Sequence, residues 1–183
     1  GKLATAFFTG ISPRTAGFNT VDMADLSFPT ILIIILLMWI GASPGSTGGG
    51  IKTTTFVVAI FNIFSIGRGK DRIEIFKREL SEDTVRRAFA IIAISLLSLA
   101  IATFLLSITD QDKGLLALAF ESVSAFSTVG LSMGITPLIS DGGKMVLIAT
   151  MFIGRVGTIT LIIALMKKTY VKNYHYPKEE MTF

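Results

Sequence analysis

Thr15-Ala16-Gly17 and Thr128-Val129-Gly130 belong to the residue types that do chemistry with the backbone rather than with side chains. Loops of this kind can strip water from a cation and replace it with rings of carbonyl oxygens, as in the TVGYG loops of potassium filters. Glycine matters there, because successive carbonyls can face one axis only if one residue takes a conformation that L-residues avoid. Thr128-Val129-Gly130-Leu131-Ser132 reproduces the first three letters of that pattern, and Thr15-Ala16-Gly17-Phe18-Asn19 is a looser copy.

Two further features could act on an ion. The run Gly41 to Gly50, GASPGSTGGG, interrupts an apolar stretch with residues that do not sustain a helix, and Arg155 is a single charge in an otherwise apolar segment, Met145 to Met166. Gly-rich sequence ahead of Lys-Thr resembles a phosphate loop, G-x-x-x-x-G-K-[ST]. Here Ile51 separates Gly50 from Lys52 and the run lies between two apolar halves rather than after a strand, so that match fails. A plain hinge is the simpler alternative, since glycines in membrane helices also permit close packing. A charge at membrane depth costs at least about 2.5 kcal/mol and has to find a partner; five guanidinium donors suit several exposed carbonyls. Structural pinning of two helices is the other reading of Arg155. Lys52 can reach the interface. Glu121 either binds a pore-helix amide or shapes the ion mouth, and His175 in the tail is read as solvated.

The elements that position these residues follow from the apolar pattern. Of 183 residues, 51% are hydrophobic and 16% charged, which leaves too little polar surface to coat a soluble domain. Ala88 to Thr109 carries no charge and, at about 1.5 Å per residue, is long enough to cross a hydrocarbon core of roughly 30 Å. Ala4 to Ile11 is too short to cross and stops at Ser12-Pro13, which predicts a re-entrant helix. Phe28 to Ile40 and Ile51 to Ile66 flank the Gly41 to Gly50 break, and Leu115 to Phe126 is a second short helix. There is no cysteine, hence no disulfide and no thiolate site.

Positive charge gathers in two places, Arg68, Lys70, Arg72, Lys77, Arg78, Arg86 and Arg87, and then Lys167, Lys168, Lys172 and Lys178. Both abut apolar helices, so the positive-inside rule assigns them to the cytoplasm rather than to nucleic acid. The connections 20–27, 110–114 and 136–144 are richer in Asp and face outside.

The chain also repeats itself. Thr15-Ala16-Gly17 stands to Thr128-Val129-Gly130 at the same offset as Met38-Trp39-Ile40-Gly41 to Met151-Phe152-Ile153-Gly154. The unit is an outer helix, a short re-entrant helix, a Thr-x-Gly loop and an inner helix, with the outer helix missing from the first copy, which suggests truncation. The expected fold is therefore an all-α integral membrane protein of potassium-channel-like repeats. Residues 1–66 form the first, 67–87 a cytoplasmic basic loop, 88–166 a complete repeat and 167–183 a cytoplasmic tail.

SPRTAGFNT, IGASPGSTGGGIKTTTF, ESVSAFSTVGLSMGITP and MFIGRVGTIT resemble the third and fourth pore repeats of bacterial Trk/Ktr/HKT potassium transporters, the Ktr branch most of all. The resemblance implies potassium transport through four repeats around one pore, with Gly17 and Gly130 as two of four filter glycines. Thr15, Ala16, Gly17, Phe18, Asn19, Thr128, Val129, Gly130, Leu131 and Ser132 would then bind the ion. Gly45, Ser46, Thr47, Gly48, Gly49 and Gly50 would form an intramembrane gating loop held by Arg155. It further implies a multi-pass protein of the bacterial plasma membrane, a homodimer of full-length chains, a cytosolic ring of nucleotide-binding regulatory subunits, and no cofactor beyond the transported potassium, with sodium as a possible co-ion. The competing classes are a membrane enzyme, disfavoured because no Cys, His or acidic pair converges at depth, and a non-conducting scaffold, which would not need two re-entrant loops.

Overall fold

The computed structural model describes residues 1–69, 74–75 and 78–157, with the backbone alone at 74, 75 and 78. The expectations placed on Lys70, Arg72, Lys77, His175, the basic tail and the apolar run after Gly157 lie outside these residues.

Among the described residues six α-helices carry the fold: α1 (Lys2–Ile11), α2 (Phe28–Trp39), α3 (Thr53–Gly67), α4 (Glu82–Thr109), α5 (Leu115–Phe126) and α6 (Asp141–Val156). Short 3₁₀ turns at Met23–Asp25 and Thr136–Leu138 precede α2 and α6 at matching places in the two repeats. A two-rung antiparallel pairing of β1 (Glu74–Ile75) with β2 (Arg78–Glu79) lies between α3 and α4.

At 28 residues α4 extends about 42 Å and is the one described helix long and apolar enough to cross a membrane. It starts earlier than the uncharged run from Ala88 suggests. Ser81 stands at its N-cap and Glu82 and Asp83 lie in the first turn, where negative charge favours the helix terminus. Arg86 and Arg87 are consequently helical rather than part of the basic loop. Leu96, Leu97, Ile101, Phe104 and Ile108 are exposed along it, a surface suited to hydrocarbon rather than water.

The short helix α5 is the centre of the molecule. It packs against α2, α4 and α6, and every residue from Phe120 to Phe126 is buried. Its polar side chains are satisfied in place: Ser122 donates to the Leu118 carbonyl at 2.6 Å and pairs with the Thr103 hydroxyl at 2.9 Å. Its repeat counterpart α1 has no buried residue, and no described helix plays for it the part that α4 plays for α5.

The end of α4 and the start of α6 are joined by Asp110. Its carboxylate is 4% exposed and accepts from the Ser140 amide at 2.7 Å, the Ser140 hydroxyl at 2.9 Å and the Thr109 hydroxyl at 2.8 Å. This is why α6 starts at Asp141, four residues before the apolar run, and why position 143 is glycine: a Cβ there would overlap the Asp110 carboxylate. The Ser140 amide, outweighing burial, holds the Asp110 carboxyl below its ordinary value of 3.8. A depressed folded-state pKa means that the stabilisation is present above 3.8 and lost as pH falls through the folded value. Asp110→Asn is expected to lower the thermal midpoint of detergent-solubilised protein at neutral pH, by about 1–3 kcal/mol of stability. The gap to wild type should close in acid, and a gap independent of pH would remove the charge from this account.

Candidate functional site

The two Thr-x-Gly loops have the same backbone. Thr15 and Thr128 are the only described non-glycine residues with positive φ, at 63° and 55°, and Gly17 and Gly130 follow at 72° and 90°. A β-branched residue in the left-handed region is a genuine outlier. Each such residue costs on the order of 1–3 kcal/mol and persists only where surrounding structure enforces it. That both repeats store the same strain at the same place marks these loops as shaped for use.

The loops also face one another. A Cβ on Gly17 would overlap the carbonyl oxygen of Val129, so the two chains approach to backbone contact there. At their C-terminal ends, Asn19, Thr20 and Asp22 join Gly130, Ser132 and Gly134 around a cavity of about 460 Å³. This cavity is the polar mouth of the arrangement.

Their N-terminal ends meet the break between α2 and α3. A Cβ on Gly48 would lie 2.9 Å from the Thr15 side chain, and one on Gly49 2.8 Å from that of Thr128. The Gly49 amide donates to the Thr128 hydroxyl at 2.8 Å. The glycine run is thus more than a breaker: at positions 48 and 49 side chains would strike the two loop threonines. The excursion closes on itself, with Ile40 bridged to Ile51 and the Ile51 amide bonded to the Trp39 carbonyl at 3.1 Å. Trp39 in turn is fixed by its indole N–H to Ser95 of α4 at 3.2 Å and by an edge contact with Phe56 of α3.

Three cations hold the carbonyls that the break leaves without helical partners. Arg155 donates to Thr47. Lys52 donates to Gly48 at 2.7 Å and Ser46 at 3.2 Å, and Arg14 to Ile40 and Gly41, both at 3.2 Å. Arg155 does not sit in mid-helix as the sequence suggests. It lies in the last turn of α6, which stops at Val156, with Gly157 at φ 87°. Gly154 just before it is the repeat partner of Gly41, and both are places where backbones nearly touch: a Cβ on Gly154 would overlap the Phe126 carbonyl, and one on Gly41 that of Gly49.

The family described as TrkH, cation transport protein, matches residues 1–174. This chain belongs to the TrkH family. Among curated relatives, the Ktr system potassium uptake proteins D and B of Bacillus subtilis are each 41% identical to it, over 98% of this chain and 40% of theirs. The potassium/sodium uptake protein NtpJ of Enterococcus hirae is 38% identical over 98% of this chain and 41% of its own. The chain therefore spans about 40% of the length of the curated relatives it matches. The crystal structure of the potassium transporter TrkH from Vibrio parahaemolyticus superposes with a TM-score of 0.75 at 22% identity, over 88% of this chain and 36% of that one, a likeness of fold. TrkH-family membership makes this a helical membrane protein, and α4 is the described helix long and apolar enough to span the membrane.

Within this TrkH-family chain, Gly45 is the one glycine of the expected gating run with open space around it, and Phe18 is exposed beside the mouth. Arg14, Lys52 and Glu121 are the residues that sequence pattern left without a role. Arg14 could have been found by its place, since a cation directly ahead of a loop at membrane depth must be paired. Glu121 accepts no pore-helix amide; the hydroxyls of Ser132 and Thr136 donate to it.

Proposed function

We propose that the chain forms two of the four sides of a potassium pathway of the Trk/Ktr type. Carbonyls of Thr15 to Asn19 and Thr128 to Ser132 select the ion, and the segment from Gly45 to Gly50 obstructs its path. The observation that carries this reading is the repeated pair of positive-φ Thr-x-Gly loops in backbone contact, with the glycines of the break seated against their threonines. Carbonyl rings suit a large, weakly hydrated monovalent cation. The obstruction is removable because cationic side chains, not covalent geometry, keep it in place. Potassium, or potassium and sodium, stand in the names of relatives about 40% identical to this chain, which supports potassium as substrate with sodium as a co-ion. A scaffold has no use for the strain at Thr15 and Thr128. The test is ion flux into liposomes by the full-length protein: potassium uptake that sodium competes with poorly supports a transporter, and no flux from folded protein supports a scaffold.

The working form is a homodimer of full-length chains in the bacterial plasma membrane, with a cytosolic nucleotide-binding ring bound to the basic segments. The words "Ktr system" in the relatives' names support a multi-component assembly. Reversing the charges of Lys77 and Arg78 is expected to lower co-purification of such a ring several-fold at low salt, where surface charge is least screened. Equal yields at every salt concentration would leave these residues with a topological role alone.

A further inference from the structure

We infer that Glu121 is a positioning residue for ion selectivity, acting through Ser132 and Thr136 on the outer end of the second loop; this rests on the filter reading above. Glu121 projects from α5 and is 5% exposed. Ser132 donates to one carboxylate oxygen and Thr136 to the other at 3.0 Å. Ser132 also accepts from the Gly134 amide at 2.9 Å and from the Thr136 hydroxyl at 2.8 Å. A carboxylate accepts only, so the Ser132 hydroxyl is turned toward it, and the single Thr136 proton is shared between the carboxylate and Ser132, which ties the loop from Ser132 to Thr136 to the buried helix directly and through Ser132.

The carboxylate also borders a cavity of about 500 Å³ that Thr128, Val129, Gly130 and Leu131 line. It shares this cavity with the residues whose carbonyls are proposed to meet the ion, so any slack in this tie reaches those carbonyls. The first repeat has nothing similar: Phe8, Asn19 and Met23 occupy the matching positions, and its loop is closed instead by the Ser12 hydroxyl donating to the Phe18 carbonyl. The two loops are therefore built alike at the backbone and braced differently. Hydrogen bonds to a buried charge are roughly twice as strong as neutral ones, so the second loop is the stiffer.

In full-length protein in liposomes, Glu121→Gln should lower potassium over sodium discrimination roughly tenfold, the equivalent of one charge-assisted hydrogen bond, while the maximal potassium rate stays near wild type. Thr136→Val should act in the same direction but less, Thr136→Ser should restore wild-type behaviour, and the double variant Glu121→Gln with Thr136→Val should fall short of the product of the two. Thr136→Val carries the test if Glu121→Gln does not fold. Unchanged discrimination in the folded variants, or a rate loss with discrimination intact, overturns the proposal. A control substitution at Gly17 separates this failure from failure of the filter itself. If Gly17→Ala alters selectivity and the Glu121 network does not, the filter stands and the brace falls.

Discussion

Deleting Ser46 to Gly49 from the full-length protein is expected to raise potassium flux and free it from regulation, and Arg155→Ala is expected to raise it by less. The deletion removes the glycines seated against Thr15 and Thr128, together with the Gly49 to Thr128 hydrogen bond. It is sterically mild, because the Ile40–Ile51 bridge already brings the ends of the excursion together. Arg155→Ala removes one cation from the Thr47 carbonyl and leaves Lys52 on Gly48 and Arg14 at the N-terminal end of the segment. A hydrogen bond to a charged group is worth about 1.5–3 kcal/mol. The exposed guanidinium falls at the lower end, so the open fraction should rise by roughly tenfold. In the deletion background Arg155→Ala should add little, since its partner is already gone. Initial rates of uptake into liposomes check all three forms. Wild-type flux in folded Arg155→Ala would leave this residue as a pin between α6 and the segment.

Gly17→Ala is the second large effect, an expected loss of potassium over sodium discrimination of at least about tenfold, or of transport altogether. Two costs coincide at this position. The backbone lies at φ 72°, where a Cβ costs roughly 1–2 kcal/mol. The added carbon would also overlap the Val129 carbonyl, so the loop from Thr128 to Gly130 must move. Gly130 lies at φ 90°, but no described heavy atom stands within 4 Å of its Cβ direction, so Gly130→Ala is expected to carry the backbone cost alone. Gly130→Ser should weaken discrimination in the same way. Competition of sodium with potassium uptake, measured on both single variants and the double, separates these contributions. Wild-type selectivity in the double variant would remove the filter assignment.

Much of this architecture could be read from residue order alone, because it is governed by local rules. The bounds of α5 follow from a mainly apolar stretch between Gly114 and Ser127, broken only by Glu121, Ser122 and Ser124, and the stop of α1 from Ser12-Pro13. The repeat was visible because Thr-x-Gly and the glycine of the inner helix each do a job that no other residue can do at that backbone position. Misjudged features depended on distant partners. Gly142-Gly143 reads as loop and is helix, because Asp110 from another element occupies the space of a side chain at 143. The first turn of α4 carries charge and so reads as loop by hydropathy, although Ser81-Glu82-Asp83 is a sound start signal. Arg155 reads as mid-helix because an apolar run gives no sign of where Gly157 takes positive φ. Arg14, Lys52 and Glu121 acquired roles only once the fold had brought the break and the loop after the filter within their reach.

The most direct test of the pathway is the position of a heavy monovalent cation in a structure of the full-length protein grown in rubidium or thallium. The account predicts anomalous density on the axis between the carbonyls of Thr15, Ala16 and Gly17 on one side and those of Thr128, Val129 and Gly130 on the other, with none beyond Gly48 and Gly49 while the segment is in place. Density confined to surface carboxylates, with the space between the two loops empty at saturating cation, would contradict it.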